Sequence, residues 1–287
     1  MQKTYKLAII LLSCCLLTGC EKDDIKTYGE EHDAIRFPVN ALSNSEPSGY
    51  DSQTQQFIAA CSFVEDPFAT DSIYDLPVIL IGTTTDHDRK ITFKVNEESS
   101  APADSYEILD AVIPAREIKG YIRFKLYNLE ALNEETYAVS LTLEASQGLH
   151  VGPAQYLKAY FSWNNSIPAP TNTNFVRTYN MLILSSLNFV STSTANYSPN
   201  ALKAIVSALG WNDWDDYSVH GSKYNSTVYG SYKYLPRYSM IYSDNSYKSY
   251  ALKLKTYIEK YNAEHPDSPL VHDAGGLKGQ LIEARTY

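Results

Sequence analysis

Between residues 34 and 163, apolar and polar side chains alternate with a period of two. Ile35, Phe37 and Val39 form one such run, and Ile91, Phe93 and Val95 a second. Ile122, Phe124 and Leu126, then Val139, Leu141 and Leu143, then Leu157, Ala159 and Phe161 continue the series. Turn-forming residues separate the runs, and no helical period intervenes. Alternation puts every second side chain on one face, so each run predicts a strand with one buried side. Val78-Ile79-Leu80-Ile81 is apolar throughout, as suits a central strand. The pattern predicts an antiparallel sandwich of roughly seven to nine strands.

The pattern changes after Trp163. Residues 164–174 are dominated by Asn, Pro and Thr and predict a linker. Tyr179–Leu187 reads as a strand. Ser198-Pro199 opens a helix whose apolar face is Leu202, Ile205, Val206 and Leu209, with Gly210 as its stop. A second helix starts at Asp244 to Ser246, presents Tyr250, Leu254, Tyr257, Ile258 and Tyr261, and ends near Asn262, ahead of Pro266. Tyr-rich extended sequence lies between the helices. The fold expected is therefore mainly β: an N-terminal immunoglobulin-like antiparallel β-sandwich followed by a smaller α+β C-terminal domain. The segments expected are 1–19 signal peptide, 20–33 tether, 34–163 sandwich, 164–174 linker and 175–287 Tyr-rich α+β domain.

The first 20 residues determine the compartment. Lys3 and Lys6 precede an apolar run from Leu7 to Leu17, and Leu17-Thr18-Gly19-Cys20 follows. The run is far short of the roughly 20 residues that span a bilayer, so it reads as a cleavable secretory signal. Its Leu-Thr-Gly-Cys ending marks Cys20 for lipidation, leaving Cys20 as the new N-terminus and the membrane as a partner through its lipid. Glu21-Lys22-Asp23-Asp24 then resembles the signal that sends lipoproteins of the Bacteroidota to the cell surface. The expected location is the outer membrane, lipid-anchored and facing outward. Asp71-Ser72-Ile73 resembles the O-glycosylation acceptor of exported proteins in that group, which makes Ser72 a candidate.

Charge then narrows the partners. The chain holds 24 basic and 33 acidic residues, a net charge of −9. Loss of Lys3 and Lys6 with the signal leaves 22 basic residues and a net charge of −11. Such a chain offers no footprint for nucleic acid. Its four cysteines are Cys14, Cys15, Cys20 and Cys61, so the processed protein keeps one thiol and no intramolecular disulfide. Cys61 lies in the apolar stretch 57–63 and reads as a small core residue.

Further motifs carry a family resemblance. Asp86-His87-Asp88-Arg89, Ala103-Asp104-Ser105-Tyr106, Val112-Ile113-Pro114-Ala115 and Gly120-Tyr121-Ile122 follow in order. Over roughly residues 34–163 this resembles the Calx-beta-like, immunoglobulin-like domain of uncharacterised Bacteroides surface lipoproteins, a domain of unknown function. Residues 247–287 are similar to the tail of certain Bacteroides surface lipoproteins, through Tyr257 to Asn262, His265-Pro266, Pro269 to Asp273 and Lys278-Gly279-Gln280. The resemblance implies a fold and a location. It implies no activity.

The chemistry is sparse. The sequence contains no nucleophile elbow, phosphate loop, His-Glu-x-x-His or dinucleotide fingerprint. Asp86, His87 and Asp88 fall short of the six to eight oxygens that calcium takes, and read as a turn with an Asp paired to Arg89; no metal or cofactor is expected. His272-Asp273 is the one adjacent dyad. The candidate ligand site is Trp211, Asp213, Trp214, Asp215 and Tyr217, where flat rings stand beside carboxylates in the way that suits the C–H faces and hydroxyls of sugars. Tyr224, Tyr229, Tyr232 and Tyr234 would extend it. The function expected is a non-catalytic accessory that binds glycan in a polysaccharide-uptake system, alongside outer-membrane transporter components. One alternative is a structural or adhesive protein-interaction module. Another is a glycosidase whose carboxylate pair is set by the fold.

Overall fold

The computed structural model describes residues 33–42, 48–146 and 148–287. Cys20 and the Lys22-Asp23-Asp24 string lie outside the described residues. Eleven strands are described: β1 Ala34–Arg36, β2 Ser48–Asp51, β3 Gln56–Ser62, β4 Asp71–Ile81, β5 Arg89–Lys90, β6 Thr92–Val95, β7 Tyr106–Ile113, β8 Lys119–Tyr127, β9 Tyr137–Glu144, β10 His150–Val151 and β11 Lys158–Asn164. They form two curled sheets, ordered β10-β1-β4-β8-β7-β5 and β2-β3-β11-β9-β6.

The period-two positions face inward between these sheets. Ile35, Phe37, Ile122, Phe124, Val139, Leu141, Ala159 and Phe161 are fully buried. The sheets are mixed, where alternation alone predicts antiparallel pairing: β1 runs parallel to β10, and β3 parallel to β11. Period-two burial gives the same inside-outside pattern for either direction, so the sequence does not separate them. Ile91 lies between β5, in the first sheet, and β6, in the second. The chain switches sheets at this buried side chain, so the predicted run begins at the switch and its strand starts at Thr92.

The polar turn before it is arranged differently from the expectation. Arg89 does not pair with Asp86 or Asp88. Its Nη1 donates to Asp33 Oδ2 at 2.6 Å, and Asp33 is fully buried. Thr83 N donates to the other Asp33 oxygen. Asp88 instead accepts from Ala115 N, and Asp86 from His87. Cys61 is half-buried against the sandwich core, and burial pushes its thiol pKa up to about 12.

The C-terminal part is smaller and helical. Its helices are α1 Thr173–Leu182, α2 Pro199–Leu209, α3 Tyr217–His220, α4 Tyr238–Ser243 and α5 Ser246–Glu264. The strand expected over Tyr179–Leu187 is a helix to Leu182. Asn172 caps it by accepting from Asn174 N, and Phe175, Val176, Tyr179 and Leu182 are buried. The described β-structure here is two isolated bridges, Ile183 with Ala284 and Val271 with Leu281. Helix α2 is as predicted: Ser198 accepts from Ala201 N, Pro199 opens it, and Gly210 ends it at φ +67°. Helix α5 covers the predicted second helix and buries Ala251, Leu254 and Ile258.

Two cores result, and they meet at one turn. Phe63 packs into the sandwich core, and its neighbour Val64 packs into the helical core. Segment 164–174 is packed rather than free. Asn165 is buried and donates to Pro67 O and Asn128 Oδ1, and Ile167 joins the helical core. Lys203 of α2 adds a polar link, donating at 2.5 Å to Asn133 Oδ1 of the sandwich.

Candidate functional site

Segment 211–217 follows the left-handed stop at Gly210, which folds the chain back over the end of α2. Trp211 N reaches Val206 O, Trp214 N reaches Lys233 O, and Asn225 N reaches Trp214 O. These bonds turn both indoles inward. Trp211 is 6% exposed and Trp214 8%. Trp211 meets Trp214 and Tyr250 edge-on, with ring centroids 5.8 and 4.9 Å apart. Trp214 stacks on His220 at 4.0 Å, and His220 Nε2 lies 2.7 Å from Asp213 Oδ1. The flat Trp platform expected from the sequence is therefore not at the surface. The tryptophans anchor the segment in the helical core, and Asp213 holds the histidine that covers one of them.

The rest of the segment faces outward. Asp215 is exposed, and Tyr217 is 65% exposed. Asp216 caps α3 through Ser218 N. Tyr217 meets Tyr224 edge-on at 5.1 Å, and exposed Tyr229 lies under the Arg237 guanidinium at 4.1 Å. Tyr232 and Tyr234, expected to extend the platform, turn inward instead. Tyr232 donates to Pro168 O, and Tyr234 joins the helical core.

A groove of about 450 Å³ opens beside this segment. Trp214, Lys223, Arg237, Met240, Asp244 and Tyr250 are among its lining residues. Its polar groups are mainly donors. Trp214 Nε1 and Arg237 Nε are buried N–H groups with no hydrogen-bond partner among the described residues. Such groups are rare in folded proteins and cost about 1–3 kcal/mol each when left unpaired. Asp244 is the one carboxylate in the lining. Hydrogen bonds from Ser246 hold its pKa below the usual carboxylate range. Sequence reading found Trp214 but missed Lys223, Arg237 and Asp244. They lie in Tyr- and Ser-rich stretches without periodicity and converge through the packing of α4 against α5.

Other features carry less chemistry. The larger hollows, of about 770 and 590 Å³, lie where the chain switches sheets around Asp88 to Thr92, and reflect that open corner. A groove of about 540 Å³ at the seam is lined by Cys61, Glu65, Asn164 and Asn212, but these side chains largely satisfy one another. Asn212 donates to Glu65, and Asn164 accepts from Ser62. His272 and Asp273 point apart. His272 is buried, and its pKa is lowered mainly by that burial. Asp273 accepts from Ser198 Oγ and Asn200 N at the start of α2. No group of three or more His, Cys, Asp or Glu residues suited to a metal occurs among the described residues. Ser72 is exposed, on β4 rather than in a loop.

The model of a family described as a domain of unknown function, DUF4843, matches residues 42–179. That span covers most of the sandwich and reaches into α1. None of the curated proteins matches the chain. Among solved structures, a candidate carbohydrate-binding protein from Bacteroides ovatus aligns at 12% identity and a TM-score of 0.32, over 47% of this chain and 37% of that one. A Bacteroides ovatus protein of unknown function aligns at 13% identity and 0.29, over 47% and 44%. The Calx CBD1 domain aligns at 8% identity and 0.29, over 47% of this chain and all of its own. The chain thus spans less than half the length of either Bacteroides ovatus protein, and likeness at these scores extends to neither ligand nor activity.

Proposed function

We propose that this protein is a lipid-anchored, surface-exposed accessory protein that binds glycan without cleaving it. The groove beside Trp214 is its site. The observation that carries this reading is the groove's chemistry. Serine hydroxyls, the Lys223 ammonium and the Arg237 guanidinium line it beside Tyr250, and sugars supply the matching hydroxyls and C–H faces. Glycoside hydrolysis needs two carboxyl groups roughly 5–9.5 Å apart. The groove lining has one, and it is already engaged by Ser246, so the chemistry suits holding a sugar rather than cutting it. The exposed tyrosines at 217 and 229 stand next to the groove and would extend contact along a chain of sugars. The test is affinity electrophoresis through a panel of neutral and acidic polysaccharides. Retardation by at least one polysaccharide is expected, and it should weaken in Tyr229→Ala, whose melting temperature should match that of the unaltered protein. Retardation by none would remove the glycan reading.

A second reading has its own observation. Tyr217, Val219, Val228 and Tyr229 are all exposed within one short stretch, and clustered exposed apolar groups often mark protein interfaces. On this reading the same stretch docks a protein at the outer membrane, such as a transporter component. Cross-linking on intact cells that captures one discrete partner, with no glycan bound, would favour it.

A further inference from the structure

We propose that the groove selects an anionic sugar, a uronic acid whose carboxylate is held by Arg237 and Lys223. This rests on the groove being the glycan site, and it adds the ligand's charge. The chain is strongly acidic, with a net charge of −9. Several of its other cations are matched. Arg89 pairs with Asp33, and Arg123 makes two 2.7 Å bonds to Asp75. Lys125, Lys255 and Lys260 each have a carboxylate within 4 Å. Arg285 is used up on the carbonyls of Asn180 and Leu187.

Arg237 and Lys223 have no carboxylate at ion-pair distance among the described residues. Asp244 lies near enough to influence Lys223 but offsets only one of the two charges, so the lining keeps an excess cation. Arg237 is also preorganised. Its guanidinium lies over the Tyr229 ring at 4.1 Å, which fixes its plane before any ligand arrives. Its Nε–H is buried and unpartnered, as is the Trp214 Nε1–H in the same lining. A neutral sugar offers hydroxyl oxygens but leaves the guanidinium without a counter-charge. A carboxylate supplies that charge, and charge-assisted bonds to a guanidinium are about twice as strong as neutral ones.

The test uses the full lipidated protein in detergent micelles. Oligosaccharides of galacturonate, of mannuronate and guluronate, and of glucuronate-containing chains are titrated by calorimetry, each beside its carboxyl-reduced counterpart. At least one uronide should bind about tenfold more tightly than its reduced form, with an affinity that falls as salt rises. Arg237→Gln should remove most of that difference, weakening uronide binding far more than binding of the reduced form. Lys223 is exposed, so Lys223→Gln folds independently of any packing role and should lower uronide affinity in the same direction. Equal affinity for uronide and reduced forms overturns the anionic assignment and leaves glycan binding standing. Binding of neither form overturns both. Selectivity unchanged in Lys223→Gln and in Arg237→Gln also overturns the assignment.

Discussion

Lys203 is a buried cation whose cost depends on pH. It is 1% exposed on α2, and burial lowers its ammonium pKa from 10.5 to about 8, against a smaller opposing pull from Asp273. Burial disfavours the charged form, so the folded state carries a cost wherever that form persists. Below about pH 8 both folded and unfolded chains are protonated, and the cost is fully present. Between about 8 and 10.5 the unfolded chain holds a proton that the folded chain lacks, so this contribution to stability rises with pH. Lys203→Met should therefore stabilise the protein at pH 7, on the order of 1–3 kcal/mol. The gain should shrink as pH approaches 10. Asn133, its partner, is only half-buried, so water can replace the ammonium there. Urea unfolding of both proteins at pH 7 and pH 10 measures this, and an equal gain at both would show that the buried charge is not the cause. The tryptophans follow the same principle of burial. Trp211 and Trp214 read from sequence as a platform because aromatic rings next to carboxylates look like a sugar site. Nothing in the local sequence states that Gly210 turns them inward.

At the scale of elements, the legible parts were those with a clear period and clear stops. The strands through Ile122, Val139 and Phe161, and helices α2 and α5, follow from alternation, caps and Gly or Pro boundaries. Helix α1 did not. Its Phe175, Val176, Thr178 and Tyr179 are β-formers by composition, and tertiary burial overrode that preference. The cap was the overlooked signal: Asn172 accepts from Asn174 N at 2.9 Å and starts the helix where a linker was expected. Asn172→Ala should cost about 1 kcal/mol. The change should appear as a lower denaturant midpoint with an unchanged slope. A larger loss with an altered slope would mean that Asn172 supports more than one helix end, for instance through its packing against Gly230, whose φ is +93°. Strand direction was illegible for a different reason. Parallel β1–β10 and β3–β11 pairs depend on long connections, and side-chain alternation carries no record of them.

At the scale of the whole molecule, the question is how the groove is presented. Asp33, the first described residue, is fixed from three sides. Arg89 and Thr83 hold its carboxylate, and His150 N donates to its carbonyl. A Cβ on Gly82, whose φ is +133°, would lie 2.0 Å from an Asp33 carboxylate oxygen, so the anchorage requires glycine there. Only 12 residues separate Asp33 from Cys20, and a chain that long reaches at most about 45 Å. A short tether fixed this firmly would keep the body close to the membrane, which suits handing a captured sugar to a neighbouring transporter. The leaflet then decides everything. If Lys22-Asp23-Asp24 directs export, protease added to intact cells should degrade the protein. Replacing those three residues with Ala should protect it without altering its abundance. If Cys20 carries the lipid, as proposed, Cys20→Ser should abolish acyl labelling and release or stall the chain. Equal protection of the unaltered and Ala-substituted proteins would place both on the inner leaflet. A uronide-binding groove there would meet only sugars that had already crossed the outer membrane, and the accessory role would move from capture at the surface to retention in the periplasm.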